Sequence, residues 1–386
     1  MNYDQLAELS RVLYFPTTLM LYLGGAFVYL YALTMGVGRQ DQRERGVVLR
    51  RIGGVMAVAG VATHVAHEIA RGIAQQRLPL GNMFEVTSLM ALVGVLAGLF
   101  VLQFVRRRAE LNGFVLLAGS LVLGMAMLMY ADPGPLMPIL DTWWRPFHVS
   151  LLVSAMGIFG TAFAFNGLYL LRDTAERSVT QAFDNAGSGG PGAAHTNDVK
   201  DLPERGSAAD EEREQLQQYH AALRAGINPW KLSIGVFLGT SLVSWVWITA
   251  QDTLAAGFGR FFTVNLTLVV AALIARWFVP FLPSTSALDG LAHRLTAFAF
   301  VLWTVGVIAG AMWAEVSWGR FWGWDPKETG SFLTWIAYAG YLHARATHGL
   351  KGRNAAWIGV WAFVVLMGTY LIANYVVVGL HSYANL

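Results

Sequence analysis

The most distinctive chemistry lies between Trp313 and Trp335, WAEVSWGRFWGWDPKETGSFLTW, where five of the chain's 14 tryptophans occupy 23 residues. A single tryptophan would read as part of the aromatic belt of a membrane interface, but this density exceeds what a belt needs. The spacing predicts that Trp318 and Trp322, four residues apart, share one helical face, and that Gly323 admits a close backbone approach before Trp324. Asp325 and Pro326 suit the end of one helix and the start of the next, with Asp325 as a cap and Glu328 in the first turn, where a carboxylate is favourable. The expected result is a rigid indole platform. Its faces suit a large planar apolar ligand, with Arg320 and Lys327 placed for anionic groups at the ligand's edge.

Haem has that shape, carries two propionates and requires axial ligands. A quinone competes on shape alone, and packing at an interface is the third reading of the segment. Imidazoles favour haem. His148 follows Trp143, Trp144 and Arg145, and His381 closes the last apolar run in GLHSY; two neutral imidazoles suit iron well. The alternative for each is an interfacial or capping histidine. His343 in YLHAR and His293 beside Arg294 sit at the other end of their apolar runs, able to meet a ligand within the membrane or to line an interface. His64, His67 and Glu68 fall within the second apolar run, where ionisable residues are functional candidates by default. His195 and His220 lie in a polar stretch and read as solvated.

These residues must be positioned by membrane helices. Of 386 residues 55% are hydrophobic and 13% charged, against about 25% charged in a soluble domain. Ten runs are long enough to cross the hydrocarbon as helices: 14–36, 48–70, 83–105, 111–130, 147–170, 231–250, 260–280, 294–314, 329–347 and 355–379. They lack the alternation of a β-barrel. The expected fold is an all-α polytopic membrane protein of about ten transmembrane helices. Every second loop is basic, carrying Arg39 to Arg51, Arg106 to Arg108, Arg172, Arg276 with Arg294, and Arg345 to Arg353. The positive-inside rule therefore places both termini, the tryptophan segment, His148 and His381 on the outer face. Arg71 and Arg77 are exceptions in the first outer loop. The N-terminus lacks a basic n-region, so its first run is expected to be retained as a span.

The chain divides into a membrane region at 1–172 with five spans, a polar cytoplasmic loop at 173–229 and a second membrane region at 230–386. The middle of the polar loop, NAGSGGPGAAHTND from Asn185, is expected to be a flexible linker, and Asp210 to Leu223 a short charged helix. The absence of cysteine excludes disulfides, zinc–thiolate sites and a thiol nucleophile. Any chemistry on thiols must use a partner's own.

The stretch WGRFWGWDPKETGSFLTWIAYAGYLHAR resembles the tryptophan-rich WWD signature of the haem-handling proteins of cytochrome c biogenesis. PLGNMFEVTSLM at 79–90, HVSLLVSA from 148, LDGLAHRLTAFAF at 288–300 and GLHSY are similar to segments of the CcsA/ResC type, called CcsB in actinobacteria, of the System II cytochrome c synthase. This resemblance implies delivery of haem b, as substrate, to the outer face and its attachment to the CxxCH thiols of apocytochrome c. It implies a ResB-like membrane subunit as partner. By position, His148 and His381 match the external axial histidines, His343 an intramembrane haem-binding histidine, and Glu85 the Glu of the asparagine-containing motif. Trp318, Trp322, Trp324 and Asp325 fall in the WWD signature. At 71–78 the chain departs from its relatives, with Arg77 where many carry histidine. A haem exporter without ligation activity and a quinone-linked structural subunit are the competing readings.

Overall fold

The computed structural model describes residues 2–35, 40–134, 142–185, 208–249, 253–377 and 379; His381 and the 186–207 linker lie outside them. The regular structure among the described residues is entirely helical. In order it comprises α1 (Tyr3–Val12), a π-helical turn (Leu13–Thr18), α2 (Leu19–Met35), α3 (Gln40–Ala74), α4 (Met83–Phe100), α5 (Asn112–Met127) and α6 (Trp144–Asn185). There follow α7 (Ala208–Ala225), α8 (Pro229–Ser244), α9 (Val246–Thr249), α10 (Leu254–Trp277), α11 (Thr285–Trp318), α12 (Pro326–Thr347) and α13 (Arg353–Tyr375). Side-chain caps start the helices where the sequence supplies them: Asn82 for α4, Asn228 before Pro229 for α8, Thr253 for α10, Ser284 for α11 and Asp325 before Pro326 for α12.

Eight helical stretches are long and apolar enough to cross a membrane, so the chain is an all-α polytopic membrane protein. The two remaining expected runs are also helical. The 231–250 run is divided at Trp245 between α8 and α9. The 329–347 run is α12, which is less apolar than the other eight. The polar 173–229 stretch begins as a continuation of α6, and Ala208–Ala225 forms α7. There His220 is half-buried edge-on against Phe281, at 5.1 Å between ring centroids. Burial, with Arg224 and Arg172 nearby, holds its imidazole below the usual range.

The centre of the bundle is the long contact of α6 with α11. Phe159 of α6 stacks on Tyr338 of α12 at 3.7 Å between centroids and meets Trp303 of α11 edge-on. On its other side α6 packs backbone against backbone on α4. A Cβ on Gly94 would stand 2.8 Å from the Gly157 carbonyl oxygen, and one on Gly157 would run into the Met90 carbonyl oxygen. Thr161 Oγ1 donates to the Gly94 carbonyl across this seam at 3.0 Å. Such small-residue contacts hold helices together where the surrounding lipid is as apolar as leucine.

The helices order the loops into two ends. At one, Arg345 clamps Asp289 with two bonds of 2.8 Å, and Arg353 pairs with Asp173 at 2.7 Å. The basic loops gather here. At the other lie the tryptophan segment, the starts of α4 and α6 and both ends of the described chain, since Tyr3 reaches Gln76 and Gly379 packs on Asp325. Gly157→Ala should force α4 and α6 apart and lower stability by about 1–3 kcal/mol. Gly167→Ala, on the same helix with nothing within 4 Å, should be neutral; thermal unfolding of the detergent-purified variants checks both.

Candidate functional site

The expected indole face does not form, because α11 ends at Trp318. Gly319 caps it in the left-handed conformation, φ 68°, its N–H donating to the Glu315 carbonyl. Trp322 therefore lies in an irregular turn and shares no helical face with Trp318. Trp324 also has positive φ, 59°, an uncommon conformation for a bulky residue, and is 67% exposed. The indoles meet edge to face: Trp318 against Trp313 at 61°, and Trp322 against Trp324 at 90°. In place of a flat shelf the chain builds two aromatic groups, Trp313 with Trp318 and Trp322 with Trp324 and Phe332. Trp335 serves as a strut, its Nε1–H donating to Thr304 Oγ1 at 3.0 Å.

Glu328 organises the turn. Its buried carboxylate accepts from Gly323 N at 2.7 Å, Asp325 N at 3.1 Å and Arg320 Nη1 at 3.2 Å. Asp325 is the N-cap of α12 and forms a capping box with Glu328, its Oδ1 accepting from Lys327 N. Asp325 thus has the local capping role that its place before Pro326 predicted.

His148, in the first turn of α6, enters this region from the opposite side. Its Nδ1 is 2.6 Å from the Gly306 carbonyl oxygen. A carbonyl only accepts, so Nδ1 carries the proton and the ring lone pair is on Nε2, the tautomer of a metal-ligating histidine. The ring runs near-parallel to Trp313, 21° apart at 6.2 Å, and lies over Gly310, where a Cβ would meet its Cε1 at 2.5 Å. A cavity of about 120 Å³ separates His148, Gly310 and Trp313 from Phe321, Trp322 and Lys327. Pockets that enclose whole ligands run to about 300–1,000 Å³. This one has room for the edge of a large planar ligand, whose remainder would lie over exposed Phe321 and Trp324.

Glu85 belongs to a second carboxylate hub at the same end. It is fully buried and accepts from Arg71 Nε at 2.9 Å, Arg77 Nη1 at 2.8 Å, Gly81 N at 2.7 Å and Asn82 Nδ2 at 3.1 Å. The out-of-pattern Arg71 and Arg77 are there because this carboxylate is. Arg145, three residues before His148, donates to the Leu80 carbonyl of the same loop, so the Glu85 hub braces the start of α6. His343 is not brought to this end. It is exposed on α12, roughly 25 Å along the helix from Pro326 at 1.5 Å per residue, and its ring neighbour is His348 at 6.3 Å. His381 lies outside the described residues; Gly379, two positions earlier, packs on Asp325 and Pro326.

A family model described as cytochrome C assembly protein matches residues 80–381, from the Glu85 loop through α13. The chain belongs to this family. Its relatives include a protein of Gloeobacter violaceus named cytochrome c biogenesis protein CcsA, 29% identical over 334 residues, covering 85% of this chain and 83% of the relative. A Synechocystis protein of the same name is 27% identical over 342 residues, 86% of each chain. A Guillardia theta CcsA is 48% identical over 96 residues, 25% of this chain and 32% of its own. Together these make the chain a CcsA-type cytochrome c biogenesis subunit. The cytochrome c assembly match leaves α1 to α3 outside it.

The residues that sequence reasoning missed are Gly306 and Gly310, which with Trp313 seat His148. Their signal was present as small residues four apart on α11, a spacing that lets a side chain from a neighbouring helix lie against the backbone. Glu328→Ala should leave Arg320 and the Gly323 and Asp325 N–H groups without their acceptor and cost about 1–3 kcal/mol. Faster proteolysis within 319–325 and a red-shifted tryptophan emission would report it, and Glu328→Gln should lose less.

Proposed function

We propose that the protein receives haem b as its substrate, holds it at the tryptophan end of the bundle on the outer face of the cell membrane, and presents it to the CxxCH thiols of apocytochrome c. What carries this reading is the seating of His148, with Nδ1 committed to the Gly306 carbonyl and the ring aligned with Trp313 beside a cavity at the membrane end. In this reading His148 and His381 are the axial ligands. Trp322 and Trp324 flank the macrocycle, and Trp318 backs Trp313. Arg320 and Lys327 supply positive charge for propionates, Asp325 and Glu85 hold the loops that carry the site, and His343 meets haem within the membrane on its way there.

The chain's contribution is orientation. The thiols are those of the apocytochrome, and their addition to the two vinyl groups forms the thioethers. Bis-imidazole ligation keeps oxygen from ferrous iron, and release follows when the apocytochrome's own histidine replaces one ligand. A ResB-like membrane subunit completes the System II synthase. Residues 1–172 and 230–386 form its two membrane regions, with 173–229 as the cytoplasmic connection.

Purified protein should show the reduced spectrum of low-spin bis-histidine haem. His148→Gly and His381→Gly should each lose that spectrum and fail to mature a CxxCH reporter coexpressed with the ResB-like subunit, and added imidazole should restore both. Full haem occupancy and reporter maturation in the glycine variants without imidazole would overturn the assignment. Gly310→Ala should mimic His148→Gly in haem content while leaving helicity intact, because the added methyl displaces the ring.

A further inference from the structure

The two carboxylate hubs are versions of one motif. In each, an arginine eight residues before a glutamate, Arg77 with Glu85 and Arg320 with Glu328, folds its guanidinium over a glycine whose N–H donates to that glutamate, Gly81 four residues before Glu85 and Gly323 five before Glu328. In each the glutamate is the third residue of a helix capped by Asn82 or Asp325. The hairpin α3–α4 therefore corresponds to α11–α12, with Glu85 over Glu328 and Ser88 over Ser331. This register lays His64, His67, Glu68 and Arg71 over Val307, Gly310, Ala311 and Ala314. Those four α11 residues line the His148 cavity. Where the second hairpin has small residues and a cavity, the first has four polar side chains.

Those side chains are buried and incompletely paired. His64 and Arg71 have no exposure, His67 has 1% and Glu68 7%. Ser88 has one hydroxyl proton and donates it to Glu68 Oε1 at 2.6 Å. His64 Nε2, 3.1 Å from Ser88 Oγ, must then be the donor of that pair, and His64 Nδ1 accepts from Tyr22 Oη at 3.2 Å. Three donors in series, Tyr22, His64 and Ser88, thus run toward one carboxylate. His67 donates from Nδ1 to the Ser10 carbonyl at 2.7 Å, which leaves the lone pair on its Nε2. His67 Nε2, Glu68 Oε2 and Arg71 Nη1 are buried with no protein partner.

We propose that Glu68 is a buried proton-binding site. A proton from hydronium adds to Glu68 Oε2, converting the carboxylate to the neutral acid while Oε1 keeps its bond from Ser88. Among the described residues the guanidiniums of Arg71 and Arg77 bond Glu85, whereas Glu68 is bonded by Ser88 and has His64 Nε2 at 3.6 Å, so no arginine bonded to Glu68 has to be given up in this exchange. Arg71 sits over Phe84 and reaches the Ala131 carbonyl, closing the site from above. Tyr14, whose hydroxyl is committed to the Leu123 carbonyl, closes it from the side of the π-helical turn. Tyr130, Asp132 and Arg11 are further titratable groups at its mouth. The proposal does not depend on haem.

The test is acid-minus-neutral infrared difference spectroscopy on the full chain in nanodiscs, in water and in D₂O. Wild type should show the C=O stretch of a protonated carboxyl, shifted down in D₂O. Glu68→Gln should remove the part of that band that belongs to Glu68, while the exposed carboxyls keep theirs. Ser88→Ala should move it to higher frequency, because the acid loses a hydrogen bond. Should Glu68→Gln fail to reconstitute, the Ser88→Ala shift decides. An unchanged band in Glu68→Gln, an unshifted band in Ser88→Ala, or no such band in wild type would each overturn the proposal.

Discussion

The tryptophan end of this bundle is held by a carboxylate buried at the third position of a helix. An unpaired carboxylate removed from water costs several kcal/mol or more, and in a bilayer no solvent relieves it. Glu328 and Glu85 are tolerated because each collects a guanidinium and the backbone N–H of a glycine, beneath a capping residue at the helix start. The same bonds fix the path of the preceding loop. The 319–325 turn is irregular in backbone yet fully specified by Glu328, and it sets the position of Trp322 and Trp324.

From this follows the seat of His148. The Glu85 hub fixes the loop that Arg145 grips, and Arg145 leads into α6. The close packing of α6 against α11 then carries the His148 ring onto Gly310 and its Nδ1 onto the Gly306 carbonyl. A histidine at the surface of a bundle samples rotamers and tautomers. This one is held by a carbonyl, a glycine and an indole.

Much of this could be read from residues alone. Apolar run length gave the helices because a bilayer imposes it, and Asp325 before Pro326 marked a helix start because only the first turn accommodates that pair. His148 and the tryptophan segment were singled out by composition and by resemblance. The mutual arrangement of the indoles was not. A four-residue spacing implies a shared face only within a helix, and Gly319 ends it one residue after Trp318. Nor did spacing reveal the related hairpins, since Arg77 and Arg320 match in what they touch while the residues between differ.

By itself the sequence determined which segments are long and apolar enough to span a membrane, where helices begin, that the chain supplies no thiol, and which family it joins. These depend on local properties: hydrophobicity, capping chemistry and motif identity. The tertiary structure decided which charged groups neutralise each other, so that Arg71 and Arg77 became the partners of Glu85. It also decided which small residues open a cavity and which polar ones fill the corresponding place in the other hairpin. Those outcomes turn on distances between helices far apart in the chain, and electrostatic balance and close packing are settled only when the helices meet.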